Sequence, residues 1–77
     1  MKIELETGKR YRINGREYTV TEELEVGNGA ARYTARRFAI RGTRGAVRGI
    51  DIRVNGSAWT WGWKSGQIEE VRHFLPL

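Results

Sequence analysis

Two Asn-Gly dipeptides, at 14–15 and 55–56, each separate segments in which apolar and polar residues alternate. Alternation with a period of two is typical of strands that bury one face. Asn-Gly favours a two-residue hairpin turn, because both of its residues adopt positive φ angles readily. We therefore predict that each dipeptide joins two antiparallel strands. Tyr11 should face Tyr18 in the first hairpin, and Ile50 should face Trp61 in the second.

Further turn signals divide the rest of the chain into short strands. Residues 2–6 alternate charged and aliphatic side chains and predict a first strand, while Val20 should continue in phase through Leu24 and Val26. Residues 43–45 are expected to form a three-residue loop with Gly45 left-handed. That length pairs Ile40 with Arg48 and Phe38 with Ile50, whereas a loop of two or four residues would misalign the apolar positions.

The C-terminal segment, residues 67–75, fits two structures. Val71, His73 and Leu75 fit a strand with a kink at Glu69-Glu70, whereas Ile68, Val71 and Leu75 fit a short closing helix. The strand is preferred, because all of the earlier elements are predicted to be strands.

Five or six short antiparallel strands in a chain of 77 residues must close on themselves or form two small packed sheets. A single open sheet would leave its apolar face in water. The predicted fold is therefore all-β, with residues 1–77 forming one domain, a small five- to six-stranded antiparallel barrel of the SH3-like or OB-like kind. The helical turn at the C-terminus remains the alternative there. No motif specific to one protein family is present.

The composition excludes several function classes. There is no cysteine and His73 is the only histidine, so the usual thiolate and imidazole metal sites lack ligands, and we expect no metal and no cofactor. No nucleophile and base occur in a recognisable catalytic pattern, so the protein is expected not to be an enzyme. No apolar run is long enough to span a membrane, and the expected location is the cytoplasm, without membrane contact.

The positive charge is concentrated in the middle of the chain. The formal net charge is +5, and residues 27–57 hold seven arginines and a single acid, Asp51. A guanidinium is always charged, and its shape suits two parallel hydrogen bonds to a phosphate or carboxylate. The block therefore indicates an anionic partner.

Three tryptophans follow the arginine block, at positions 59, 61 and 63. A two-residue turn at Asn55-Gly56 would place them on the core face with Ile50 and Ile52, so they are predicted to be mainly core residues. Trp63 stands near the end of its strand and remains a candidate for ligand contact. Arg36 and Arg48 also point inward by parity. Either their heads reach water at the ends of the barrel, or a bulge near residues 36–37 re-aims one of them.

Two functions remain open after these exclusions. The leading hypothesis is that a basic sheet face binds nucleic acid, either RNA or DNA, mainly through phosphate contacts and with little sequence preference. The alternative is a protein-interaction or inhibitor module, such as an accessory protein encoded by a mobile element, that binds an acidic protein surface. The predicted contact residues are the same in both cases: Arg37, Arg41, Arg44, Arg48, Arg53 and Trp63.

Overall fold

The computed structural model describes residues 2–77, and within that range it contains seven β-strands and no helix. The strands are β1 (Arg10–Ile13), β2 (Arg16–Leu24), β3 (Thr34–Gly42), β4 (Val47–Arg53), β5 (Ala58–Gly62), β6 (Ile68–Glu70) and β7 (Phe74–Pro76). The predicted all-β class is confirmed. The predicted number of strands was too low, because the C-terminal segment forms two strands with different neighbours, β5 and β1.

All seven strands form one antiparallel sheet in the order β6-β5-β4-β3-β2-β1-β7, curled into a half-barrel. β6 and β7 lie at opposite edges of this sheet, yet only three residues, 71–73, separate them in the chain. Those residues therefore run from one edge to the other. The Asn14 side chain holds them by accepting hydrogen bonds from the backbone N–H groups of Arg72 (2.8 Å) and His73 (3.1 Å) and donating one to the carbonyl of Glu70 (2.8 Å).

The concave face of the sheet holds the hydrophobic core. Its most deeply buried side chains alternate along the strands as predicted, and they include Val20, Phe38, Ile40 and Ile50. Residues 2–6 do not form the predicted strand, because β7 and not this segment pairs with β1. The alternation of this segment is nevertheless expressed as packing, since Ile3 and Leu5 are buried in the core.

The β1–β2 hairpin has the predicted register, with Ile13 opposite Arg16 and Tyr11 opposite Tyr18. Asn14 (φ 49°) and Gly15 (φ 83°) both have positive φ, as a two-residue turn of this kind requires. The first Asn-Gly prediction is therefore confirmed.

A bulge changes the facing of residues in the second half of β2. Val20 pairs with Ile40 and Glu22 pairs with Ala39, so one extra residue lies between the two pairs. Beyond the bulge Leu24 pairs with Arg37 on the convex face of the sheet. The prediction that Leu24 continues the inward phase of Val20 was wrong, because a single inserted residue exchanges the two faces of a strand.

The β3–β4 hairpin confirms the predicted three-residue loop at residues 43–45. Gly45 has φ 86°, Ile40 pairs with Arg48, and Phe38 pairs with Ile50. At the other end of β3 a second bulge pairs Thr34 with Arg53, whereas the register set by the 43–45 loop, continued without a break, would pair Ala35 with Arg53.

The β4–β5 hairpin departs from the predicted register by one residue. Ile50 pairs with Thr60, and Trp61 pairs with Gly49. The loop has three residues, 54–56, and is closed by a 2.7 Å hydrogen bond from the Arg53 N–H to the Ser57 carbonyl. Because the side-chain period of a strand is two, this shift places the tryptophans of β5 on the convex face, and the prediction that they belong to the core was wrong.

The second Asn-Gly pair adopts a different turn from the first. Gly56 has φ 90°, but within residues 2–77 Asn14 is the only non-glycine residue with positive φ. Asn55 instead accepts hydrogen bonds from the N–H (3.0 Å) and the hydroxyl (2.7 Å) of Ser57. A three-residue loop needs one left-handed residue, a two-residue loop of type I′ needs two, and Asn-Gly is compatible with both.

The C-terminal segment is extended, as preferred, and the helical alternative is not found in residues 2–77. The break between its two strands falls at residues 71–73 and not at the predicted Glu69-Glu70. Val71 is buried in the core and donates a backbone hydrogen bond to the Ala58 carbonyl (2.8 Å), so the break allows the chain to cross from β5 to β1.

Candidate functional site

The convex face of the sheet brings tryptophans and arginines together. The Cζ atom of Arg37 lies 5.2 Å from the ring centroid of Trp61, and that of Arg53 lies 5.0 Å from the ring centroid of Trp59. These are cation–π distances. The predicted register placed the tryptophans on the core face and these arginines on the outer face, but in the structure both lie on the convex face.

Asp51 organises this face. It accepts two hydrogen bonds from Arg37 (2.7 and 2.8 Å), one from the Trp61 indole N–H (3.1 Å) and a longer one from the Thr34 hydroxyl (3.5 Å). Burial by itself would raise the pKa of Asp51, but the hydrogen bonds from Arg37 and Trp61 and the charge of Arg37 outweigh it, and the pKa is lowered. Asp51 is therefore a carboxylate near neutral pH, and the charge of Arg37 is balanced within the protein.

The Trp61 ring lies on Gly49, its partner across the β4–β5 ladder. A Cβ atom added at Gly49 would lie 2.7 Å from Trp61 Nε1 and closer still to two ring carbons. Only glycine leaves room for the ring in this position. Trp63 then packs against Trp61 with 4.9 Å between ring centroids and a 59° tilt, and it remains 49 % exposed.

The remaining predicted contact residues lie at the end of the sheet that carries the 43–45 loop. Arg41 is exposed on the convex face, and Arg44 is exposed in the loop itself. Arg48 is half-buried and has the inward parity of its partner Ile40. At the opposite end of β3, Arg36 forms an exposed ion pair with Glu23 (2.8 Å). Its head therefore reaches water at the end of the sheet, which is the first of the two alternatives considered for the arginines of inward parity.

Three adjoining grooves surround the 43–45 loop. The first, of about 600 Å³, is lined by residues that include Arg16, Arg44 and Arg48. The second, of about 690 Å³, shares Arg48 with the first and adds Trp63 and Lys64. The third, smaller groove contains Arg10 and Arg41 and shares Glu17, Tyr18, Gly42 and Thr43 with the first.

Ion pairing separates these grooves from the rest of the surface. Within residues 2–77 six ion pairs engage six of the fourteen basic side chains and leave eight without an acidic partner. Six of those eight line the three grooves, and we call them the basic rim: Arg10, Arg16, Arg41, Arg44, Arg48 and Lys64. The one acid among the groove-lining residues, Glu17, is paired with Arg12 at 3.2 Å. The rim is therefore a concentrated, uncompensated positive surface.

Sequence reasoning missed three members of the rim: Arg10, Arg16 and Lys64. A signal for Arg16 was present, because its pairing with Ile13 gives it the inward parity that also marks Arg48. Arg10 lies in one row with Thr19 and Arg41 across three strands, which follows from the two hairpin registers combined with the β2–β3 pairing. Lys64 follows the end of β5, two residues beyond Gly62, and because Gly62 pairs with Arg48 the β4–β5 pairing brings Lys64 into the same groove as Arg48.

Two further features concern the part of the chain that the structure describes, residues 2–77. No group of three histidine, cysteine, aspartate or glutamate side chains there is arranged to hold a metal ion. No helix in residues 2–77 is long and apolar enough to cross a membrane. Comparison with protein-family models, with curated proteins and with solved structures finds no match.

Proposed function

We propose that this protein is a non-enzymatic nucleic-acid-binding module that holds phosphate groups along the basic rim. The observation that carries the proposal is the clustering of six unpaired cations around one loop, in grooves whose single carboxylate is already paired. Phosphate contacts supply most of the affinity of sequence-independent nucleic-acid binding, and they require cations that are not neutralised within the protein.

The structure also suggests different roles for the predicted contact residues. Arg41, Arg44 and Arg48 belong to the rim and are proposed to contact phosphate. Arg37 and Arg53 lie against the tryptophans, and Arg37 is committed to Asp51, so we propose that these two arginines support the aromatic side chains. Trp63 lies at the border between the two groups and lines a groove of the rim.

For the fold we propose the SH3-like or OB-like barrel class. The single curled sheet and the short crossing at residues 71–73, which brings the chain from one sheet edge to the other, support that assignment. OB-type barrels bind nucleic acid through an exposed sheet face and neighbouring loops, which agrees with a rim built around the 43–45 loop.

The test is a salt titration of binding to a labelled oligonucleotide. If about four phosphates are neutralised, the logarithm of affinity should fall against the logarithm of salt concentration with a slope near −3 for a single strand or near −3.6 for a duplex. The double variant Arg44→Glu with Lys64→Glu should bind far more weakly and lower the magnitude of the slope by about 1.4 for a single strand or about 1.8 for a duplex, because the variant can no longer neutralise two of the phosphates.

A matched control has the same change in charge away from the rim. Lys2→Glu with Arg32→Glu alters two exposed residues outside the three grooves and should keep most of the affinity. Equal losses in the two double variants would show that only net charge matters and would overturn the rim as the binding site. The absence of binding at low salt would reject the proposed function. A protein partner that stays bound to the wild type after nuclease treatment, and that the rim variant fails to bind, would favour the acidic-surface alternative instead.

A further inference from the structure

Trp63 has an unusual position for a large aromatic side chain. Trp63 is 49 % exposed, whereas Trp59 and Trp61 are half-buried. It lies just beyond β5 and lines the second groove of the basic rim, together with Arg48 and Lys64. Leaving this much aromatic surface in water gives up stabilisation that burial would provide.

The Trp63 ring is supported by a chain of contacts behind it. It packs against Trp61 at 4.9 Å, and Trp61 in turn donates a hydrogen bond to Asp51 and lies on Gly49. Arg37, which is bound to the same carboxylate, lies over the Trp61 ring. An exposed ring that is held in this way is pre-organised, so a ligand that covers it loses little additional side-chain entropy on binding.

The surroundings of Trp63 suit a nucleotide. The lining of its groove contains small residues, Gly45, Ala46 and Gly62, which let a ligand approach the backbone closely. Two cations, Arg48 and Lys64, lie in the same groove, and its lining contains no carboxylate. A flat aromatic surface beside phosphate-binding groups is the arrangement by which sequence-independent proteins hold single strands.

From this combination we infer that the rim binds single-stranded nucleic acid, with an unpaired base stacked on Trp63 and the adjoining phosphates on Arg48 and Lys64. This inference rests on the proposed function and narrows it. In a duplex the faces of the bases are covered by their neighbours, so a duplex can use the cations of the rim and cannot use the ring.

The test compares the wild type with Trp63→Ala on two probes, a labelled oligothymidylate of about 12 nucleotides and a duplex of the same length. Loss of one stacked base should weaken single-strand binding by roughly 5- to 150-fold. Duplex binding should change by less than about 2-fold, because the rim cations are intact. Trp63→Phe, which keeps an aromatic face, should restore most of the single-strand affinity.

Tyr33→Ala is the matched control. Tyr33 is another exposed aromatic side chain, 56 % exposed, and it also has an arginine beside it, Arg32 at 5.9 Å from the ring centroid. Its carbonyl accepts a hydrogen bond from Val54, which places it at the end of β3 opposite the rim. Binding of both probes should therefore remain unchanged in this variant.

The outcomes separate this inference from the proposed function. The inference is supported if Trp63→Ala weakens single-strand binding, to oligothymidylate or to oligouridylate, while Tyr33→Ala does not. Of these two oligonucleotides, the one that the wild type binds more tightly shows whether deoxyribose or ribose is preferred. Equal effects of Trp63→Ala on single strand and duplex, or no effect, would overturn the stacking role while leaving phosphate binding intact. If neither probe binds the wild type at low salt, the proposed function itself fails. Thermal melting of each variant shows whether a loss of binding comes from unfolding.

Discussion

Replacing Gly49 by alanine tests the structure where it departs most from the sequence-based prediction. In the predicted register Gly49 neighbours Gly62, and an added methyl group would meet no large side chain. In the structure the new Cβ would lie 2.7 Å from Trp61 Nε1 and nearer to two other ring atoms, whereas ordinary contacts begin near 3.4 Å. The ring must therefore move for the methyl group to fit.

The size of the effect follows from what the ring does. Forcing a methyl group into a filled space costs about 1–3 kcal/mol. A displaced ring also loses its 3.1 Å hydrogen bond to the Asp51 carboxylate, and a bond to a charged group is worth about 1.5–3 kcal/mol. Alanine is better than glycine in a strand by about 0.5–1 kcal/mol, which offsets part of the loss. We expect Gly49→Ala to lower the free energy of unfolding by about 3 kcal/mol.

Urea and thermal unfolding of the variant measure this change. For a domain of this size, about 3 kcal/mol corresponds to a fall in melting temperature of roughly 12–24 °C. Gly29→Ala is the control, because an added Cβ there has no atom within 4 Å and Gly29 does not have positive φ. That variant should stay within about 0.5 kcal/mol of the wild type.

A second background identifies the Trp61 ring as the cause. In Trp61→Val the ring is absent, so the same Gly49→Ala change should become neutral or stabilising by about 0.5–1 kcal/mol. A wild-type-like stability of Gly49→Ala would refute the β4–β5 register. An equal loss in both backgrounds would show that the damage does not come from the ring.

Three further predictions concern the polar contacts of the fold. Asp51→Asn should destabilise the protein by about 2–3 kcal/mol at neutral pH, because the largely buried Arg37 loses its charged partner. Because the pKa of Asp51 is lowered in the folded protein, the stability that its carboxylate contributes depends on pH. That stability is fully present above the unfolded-state pKa, near 3.9, and is lost as the pH falls through the lower folded-state pKa. The urea midpoints of the wild type and Asp51→Asn should therefore converge only in strong acid. Glu23→Gln breaks the ion pair with Arg36, whose two side chains are about half exposed, so the urea midpoint should barely move. A loss of stability as large as that in Asp51→Asn would contradict the argument that burial makes the Arg37–Asp51 pair the stronger of the two. Asn14→Gly keeps the turn but removes three side-chain hydrogen bonds to residues 70–73, so the free energy of unfolding should fall by about 2–3 kcal/mol. Asn14→Asp should lose less, and in Asn14→Gly the amide protons of residues 72 and 73 should exchange faster. Unchanged exchange at those two amides would show that the Asn14 side chain does not hold this segment.

The parts of the fold that were predictable depend on short-range chemistry. Asn14-Gly15 set the first hairpin, because that loop length and the alternation on both sides agree on one register. The 43–45 loop was predictable for the same reason, since only one length aligned Phe38 and Ile40 with Ile50. In both hairpins a slip would have placed large apolar residues in water, so the local signal was sufficient.

The β4–β5 hairpin shows where that reasoning fails. Asn55-Gly56 fits loops of two and of three residues, and both faces of the following strand are plausible because tryptophan suits a core and Ala58 and Thr60 suit either side. Tertiary packing selects the observed register. On the concave face Ala58 and Thr60 are buried next to Ile50, and on the convex face the Trp61 ring lies over Gly49. The bulge between Val20 and Glu22 had no signal in the sequence, whereas the parity of Arg36 had raised a bulge near residues 36–37 as one alternative, and the structure has it between Thr34 and Arg36.

The sequence alone determined that this chain is all-β with an excess of arginine in its middle third, because strand alternation, turn chemistry and charge are local properties. It also indicated Arg41, Arg44, Arg48 and Trp63 as candidates for contact. Only the tertiary structure decided which cations are already neutralised and which lie together, since Arg16 of β2 and Arg48 of β4 are separated by β3 and line one groove only in the assembled sheet. The β4–β5 register differs by one residue from the one that the sequence pattern predicted, and this difference places the tryptophans on the same face as Arg37 and Arg53.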